Sequence, residues 1–362
     1  MTPALADASQ VRALRASAGL ARFDHVAVVR VEGPDAFAVV DAASPSPLFL
    51  REGQIRHTLL LDADARPAAD LYVCNDEEEL ILIADGLSAA EVVARLEARR
   101  EERVPGTDAR VRSLAGSHAL VGVHGPYAWE VAVAFLGPTV LGMPYLSLMR
   151  AGEIVCLRAG RTGEFGYDFL VPRASLDETE RRLVEVGAPF DLARVDLAAI
   201  DLCALENWHF DIRTVRDTPL ARPLTPLELQ LQWRVDYARD FVGAEALRAR
   251  RAAGPAVRAT FFTSAGPVAP GDPISLEGEP SGEVLAAASS PTLETWAGTA
   301  LVHTRLAHPG LDFVAHVADA RVALRTAAPP LIRNRSLFLD PHRHSYRTRA
   351  EDVFPPLVSP TR

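Results

Sequence analysis

The chain has 362 residues, long enough for two or three hydrophobic cores rather than one. Its net charge of −9, from 38 basic and 47 acidic side chains, argues against a nucleic-acid partner, whose phosphates demand a basic face. Every basic residue is arginine, and the missing lysine rules out a Schiff base to pyridoxal phosphate, a P-loop nucleotide site and a lipoylated or biotinylated side chain.

No stretch approaches the roughly 18–20 uncharged apolar residues of a membrane span, and residues 1–10 lack the basic-then-apolar order of a secretory signal. A cytoplasmic protein with no membrane partner is the expectation. Cys74, Cys156 and Cys203 are widely spaced and odd in number, so they read as buried thiols.

In chain order, the spacing of Val11, Leu14 and Leu20 predicts a helix over 7–21, followed by a β-run over 26–31 and a second helix over 34–41. Apolar runs at 58–61, 70–74 and 80–83, the first two separated by the turn-like 62–67, predict an antiparallel meander. The segment 88–101 is an amphipathic helix by the placement of Val92, Val93 and Leu96. Strands follow at 119–123, 154–157 and 167–171, and helices at 175–186 and 191–205. A Pro-punctuated loop spans 211–226, a length usually reserved for functional or disordered segments.

Beyond an Arg-rich helix at 244–252, short β-runs at 256–262, 273–276, 282–287, 300–302 and 313–317 alternate with Gly and Pro, the pattern of a small barrel or jelly roll. The tail from Pro329 is irregular and polar. Asp340, His342 and His344 lie in it without a second ligand cluster, so no metal site is expected. The class is α+β with a C-terminal β domain.

Four segments carry a family likeness. Arg158-Ala-Gly-Arg-Thr-Gly-Glu164-Phe-Gly-Tyr-Asp-Phe169 is a Gly-dense turn between strands; Thr225-Pro-Leu-Glu228 is followed by Trp233 and Val235; then come Asp240-Phe-Val-Gly-Ala-Glu-Ala-Leu247 and Gly282-Glu-Val-Leu with Ser290-Pro-Thr-Leu293. In order and spacing they resemble the aminomethyltransferase (glycine-cleavage T-protein) family over roughly residues 15–325. The resemblance implies three domains in a cloverleaf around a central cavity for tetrahydrofolate. Their expected boundaries are 1–50 with 141–240, 51–140, and 241–328, followed by the tail 329–362.

By the same resemblance, Glu164 is the pterin-binding carboxylate, and a carboxylate is suited to accept two hydrogen bonds from a pterin edge. The family's acid/base position falls on Glu91, with Asp85 as a competitor nearer the loop. Tyr72 and Trp208 are further candidates for the cofactor, Trp208 by stacking. His57, His209 and Arg216 are candidates for the substrate.

Where the family has A-R-D-x-L-R-L-E-A-G, this chain reads Ala199-Ile-Asp-Leu-Cys-Ala-Leu-Glu-Asn-Trp208, so both arginines are gone; Arg213, Arg216 and Arg222 could compensate. The implied function is tetrahydrofolate-dependent transfer of a methyl, methylene or aminomethyl group to or from a small molecule, divergent from the housekeeping glycine-cleavage enzyme. A lipoyl-carrier partner is not assured by the resemblance. The alternative is a non-catalytic folate-binding protein of the same superfamily, whose K-G-C-Y-x-G-Q-E segment is matched here by residues 239–246 with neither Lys nor Cys.

Overall fold

In the computed structural model, residues 6–77, 79–217 and 224–358 are described. Among them the strands form three units: a six-stranded sheet, a five-stranded sheet and a closed six-stranded barrel. No helix among the described residues is long and apolar enough to cross a membrane.

The six-stranded sheet runs Leu192–Arg194, Ala18–Arg22, His118–His124, Gly166–Pro172, Ile154–Arg158, Ser147–Ala151, antiparallel except for its first pair. The five-stranded sheet is antiparallel throughout, in the order Ile55–Leu61, Pro67–Asp76, Glu79–Asp85, Ala27–Glu32, Arg110–Ser113. The sheets therefore divide the chain differently from the expected boundaries at 50 and 140. The five-stranded unit runs from Ala27 to Ser113, and the six-stranded one takes the strand before it and resumes at His118.

Each sheet buries one face under its own helices. Helices Ala36–Ala43 and Ala89–Arg103 cover the five-stranded sheet through Val39, Val40, Val92 and Leu96. Helices Ala128–Leu136 and Leu176–Gly187 cover the six-stranded one through Ala132, Phe135 and Leu183. The opposite faces share one core, in which Val28, Ile81 and Ile83 of one sheet meet Leu120, Leu157 and Leu170 of the other. This alternation along each strand, apolar on both faces, is what a doubly covered sheet requires.

The predicted helix over 7–21 stops at Ala16, and Ala18–Arg22 is a strand. Pairing on both sides, with 192–194 and 118–124, outweighs the weak helical spacing there. The helix expected over 191–205 is likewise Leu197–Glu206, capped by the Asp196 side chain and preceded by an edge strand. The C-terminal unit is a barrel, closed by pairing of Ala320–Ala327 with Val257–Ser264, and that last strand was not anticipated.

The tail is irregular but docked. Ile332, Leu339 and Tyr346 are buried, Ser345 and Tyr346 donate to Glu130 at 2.7 and 2.9 Å, and Asn334 reaches a buried cluster centred on Arg15. That guanidinium donates to Glu206 at 2.6 Å, to Asn334 at 3.1 Å and to the Thr162 carbonyl at 2.7 Å, and lies 3.8 Å from Glu164. Arg15 thus ties the first helix, the Gly-dense turn and the tail together. Glu206→Ala should lower the unfolding free energy by about 3–5 kcal/mol in urea denaturation, because it leaves Arg15 buried without its closest counter-charge.

Candidate functional site

The shared core between the two sheets ends in a narrow cleft with a cavity volume of about 30 Å³. Phe23, Val26, Ile83 and Leu120 form its apolar walls. Asp70, Tyr72, Asp85, His124, Arg161 and Asp168 supply its polar groups.

The period-two geometry of strands brings these polar groups to one place. Asp70 pairs directly with Asp85 and Tyr72 with Ile83 on adjacent strands, so two carboxylates share one face of the five-stranded sheet. Opposed like charges destabilise a sheet unless each is compensated. Asp70 accepts from Arg234 and His57, both at 2.7 Å. Asp85 accepts from Arg161 at 3.0 Å, with Arg213 and His25 each 3.5 Å away.

Burial pushes the Asp85 carboxyl up, but the nearby His25, Arg161 and Arg213 outweigh it and hold it at about 2. Asp70 is likewise held low against its burial, by His57, Arg234 and His209. Arg161 stays protonated beside these anions. Asp85 is therefore a permanent anion at neutral pH and a weak proton carrier. Its Oδ1 is buried with no hydrogen-bond partner among the described residues.

On the facing sheet, Gly122 and His124 alternate with Val121 and Val123, whose side chains enter the helix-covered core. The neighbouring strand places Asp168 opposite Gly122, and the His124 Nε2 lies 2.9 Å from Asp168 Oδ1. A Cβ at Gly122 would sit 2.2 Å from that oxygen and 2.7 Å from Nε2, so only glycine leaves room for the bond. His124 Nδ1 is buried without a partner among the described residues.

Beside Asp70, the His57 ring lies 4.4 Å from Tyr72 and stacks at 5.7 Å on His209. Burial holds His209 far down, at about 3, despite the neighbouring Asp70, so it stays neutral. Burial, with Tyr145 and Asp70 adding to it, keeps the Tyr72 phenol protonated.

The structure thus brings Asp85 and Tyr72 into the cleft and packs His57 and His209 against its Asp70–Tyr72 side. Four other expected residues lie elsewhere. Glu164 points away from the cleft, its two oxygens accepting the backbone N–H groups of Arg335 and Ser336 at 3.0 and 2.8 Å. Burial pushes its carboxyl up although Arg15 and these donors oppose it. Glu91 is the third residue of a capping box, bound to the Ser88 N–H at 2.8 Å on the exposed start of its helix. Trp208 stacks on Phe261 at 6.3 Å and packs in the core beside the barrel. Arg216 is exposed one turn beyond Arg213, the arginine that does reach Asp85. Arg222 lies outside the described residues. His124, Asp168, Asp70 and Arg161 were not singled out from the sequence.

An α+β arrangement of two facing sheets and a C-terminal barrel is the fold of a known family. The GCVT N-terminal domain model matches residues 4–239, and the glycine cleavage T-protein C-terminal barrel domain model matches 258–332. The chain belongs to this family.

Among its relatives, the aminomethyltransferase of Corynebacterium aurimucosum is 28% identical over 336 residues, covering 89% of both chains. The aminomethyltransferase of Frankia alni is 31% identical over 305 residues, covering 80% of both. The crystal structure of the glycine cleavage system aminomethyltransferase T from Bartonella henselae shares the fold, with a TM-score of 0.77, 24% identity and 90% of each chain covered.

The charge arrangement makes the cleft sensitive to acid. Because Asp85 is held below its ordinary 3.8, its stabilising contribution is complete above that value and is lost as the pH falls through about 2. Urea denaturation between pH 5 and 2 should show the wild type losing on the order of 2 kcal/mol through this group. Asp85→Asn should flatten that part of the profile.

Proposed function

We propose that the cleft binds the pterin of tetrahydrofolate and that the protein is a transferase moving a one-carbon unit between that carrier and a small molecule. The observation carrying this reading is the family match over both the N-terminal domain and the barrel, combined with a cleft whose free polar atoms suit such a ligand. A pterin edge is rich in N–H donors. Asp85 Oδ1 and His124 Nδ1 are buried without partners among the described residues, and Asp168 has its second oxygen available.

The chemistry the cofactor supplies when bound is a nucleophilic N5 that takes up or releases the one-carbon group. The chain's own contribution is placement and exclusion of water. Phe23, Val26, Ile83 and Leu120 hold a flat ring from its faces, while Asp168 and Asp85 fix its edge. Arg161 and Arg213 keep Asp85 ionised, so positive charge developing on a ligand bound beside it would be stabilised by a fixed negative charge. His57, Tyr72 and His209 border the Asp70 side, where the donor or acceptor would lie. We assign the finer role to a divergent transferase rather than the housekeeping enzyme, because Ile200 and Ala204 stand where the family has arginines and both are buried apolar residues.

Calorimetric titration with tetrahydrofolate tests the reading. Saturable binding by the wild type is expected, with Asp168→Asn weakening it by roughly 10- to 100-fold, the cost of a charged hydrogen-bond acceptor. Glu164→Gln should leave the affinity of folded protein unchanged. Absence of binding by the wild type would overturn the proposal. Turnover of methyl or aminomethyl donors in the presence of tetrahydrofolate separates a transferase from a binding protein of the same fold.

A further inference from the structure

One cleft residue counted above only as a hydrogen-bond acceptor is placed to do more. Asp85 is too acidic to exchange protons near neutrality, and Asp70 has the same limit because His57 and Arg234 hold it low. His124 stands on the facing sheet. It is 1% exposed, it lines the cleft, and it is oriented by Asp168 through the 2.9 Å contact at Nε2. With Nε2–H donating to that carboxylate, a neutral imidazole carries its lone pair on Nδ1.

That nitrogen is bounded by glycines. A Cβ at Gly160 would stand 3.1 Å from Nδ1, and one at Gly166 would stand 2.8 Å from it. The lone pair is thus kept clear of side chains, buried, and without a partner among the described residues. Leaving a buried acceptor unpaired is costly, and a donor from a ligand would recover that cost. The charged and titratable groups around it are Asp168 at Nε2, then Asp85, Asp70, Tyr72 and Arg161 across the cleft, and Arg158, which donates to the Gly166 carbonyl at 3.2 Å.

We infer that His124 is the proton acceptor of the cleft, with Asp168 as the residue that fixes its tautomer. An N–H of the bound carrier or of the amine it exchanges with donates to Nδ1. In the transfer step that N–H bond breaks, its electron pair stays on the ligand nitrogen, and Nδ1–H forms; the imidazolium is balanced by the Asp168 carboxylate and returns the proton to the departing atom. This assignment rests on the folate reading, and its test separates the two.

The experiment uses full-length protein labelled with 15N-histidine. Long-range 1H–15N spectra are recorded without and with tetrahydrofolate, beside calorimetry on the same sample. The His124 signals are identified by their loss in His124→Gln, or, should that variant not fold, by contacts to the Phe23 ring, which lies edge-on at 5.5 Å.

The expected result is an Nε2–H imidazole with a bare Nδ1 in the free protein, and an Nδ1 resonance that moves to a hydrogen-bonded or protonated position on saturation. His124→Gln should bind about 3- to 10-fold more weakly. Saturable binding with the His124 signals unmoved would overturn the assignment and leave the folate reading intact; an Nδ1–H tautomer in the free protein would also overturn it. No binding heat would overturn both.

Discussion

The constraint on which this structure depends is that the adjacent carboxylates Asp70 and Asp85, buried where its units meet, must each find a cation. Asp70 and Asp85 face one another across adjacent strands in a buried region, and neither could remain ionised alone. Their partners come from far along the chain: Arg234 from just ahead of the barrel, Arg161 from the Gly-dense turn and Arg213 from the helix Ile212–Asp217. The same rule operates behind the cleft, where Arg15 lies among Glu206, Glu164 and the tail. With no lysine in the chain, guanidinium groups carry most of this pairing, and their planar forks allow one residue to hold several acceptors at once.

This pairing also explains why the tail matters to a site it does not touch. Glu164 and Arg161 belong to one turn, the first facing the tail and the second facing the cleft. The tail backbone at Arg335 and Ser336 holds one end of that turn while Arg15 binds its Thr162 carbonyl, so Arg161 projects from a segment fixed on its far side. Positioning of this kind is what a preorganised site needs, since the charge facing a ligand is only as well placed as the backbone carrying it.

Much of the architecture was legible in the sequence: the meander, the amphipathic helix after it, the C-terminal β domain and the family likeness. The side chains that line the cleft were only partly legible. The Gly-dense turn points to Glu164, whereas the carboxylate of that segment that lines the cleft is Asp168, four residues later. The strand alternation held the answer: Tyr167 and Phe169 enter the helix-covered core, so Asp168 between them must face the other sheet. Val121 and Val123 point to His124 in the same way. The Ser88-Ala-Ala-Glu91 spacing is a capping box in the sequence, and it marks Glu91 as a helix-start residue. By contrast, the meeting of His57 with His209, and of Arg213 with Asp85, depends on how the units pack, which no local pattern encodes.

The cleft's acidic groups divide by environment rather than by residue type. Asp85 and Asp70 are fixed as anions by arginines, and such groups orient ligands and stabilise positive charge. Asp168 has no arginine within ion-pairing distance among the described residues and is paired with the His124 imidazole instead. The proposed transfer would use both kinds of carboxylate, one to stabilise positive charge and one to orient an imidazole. Gly122 and Gly166 maintain the second kind, because a methyl group at either would displace the imidazole from Asp168 or close the space beside its free nitrogen. The backbone around His124 is therefore under as much chemical constraint as the side chain itself.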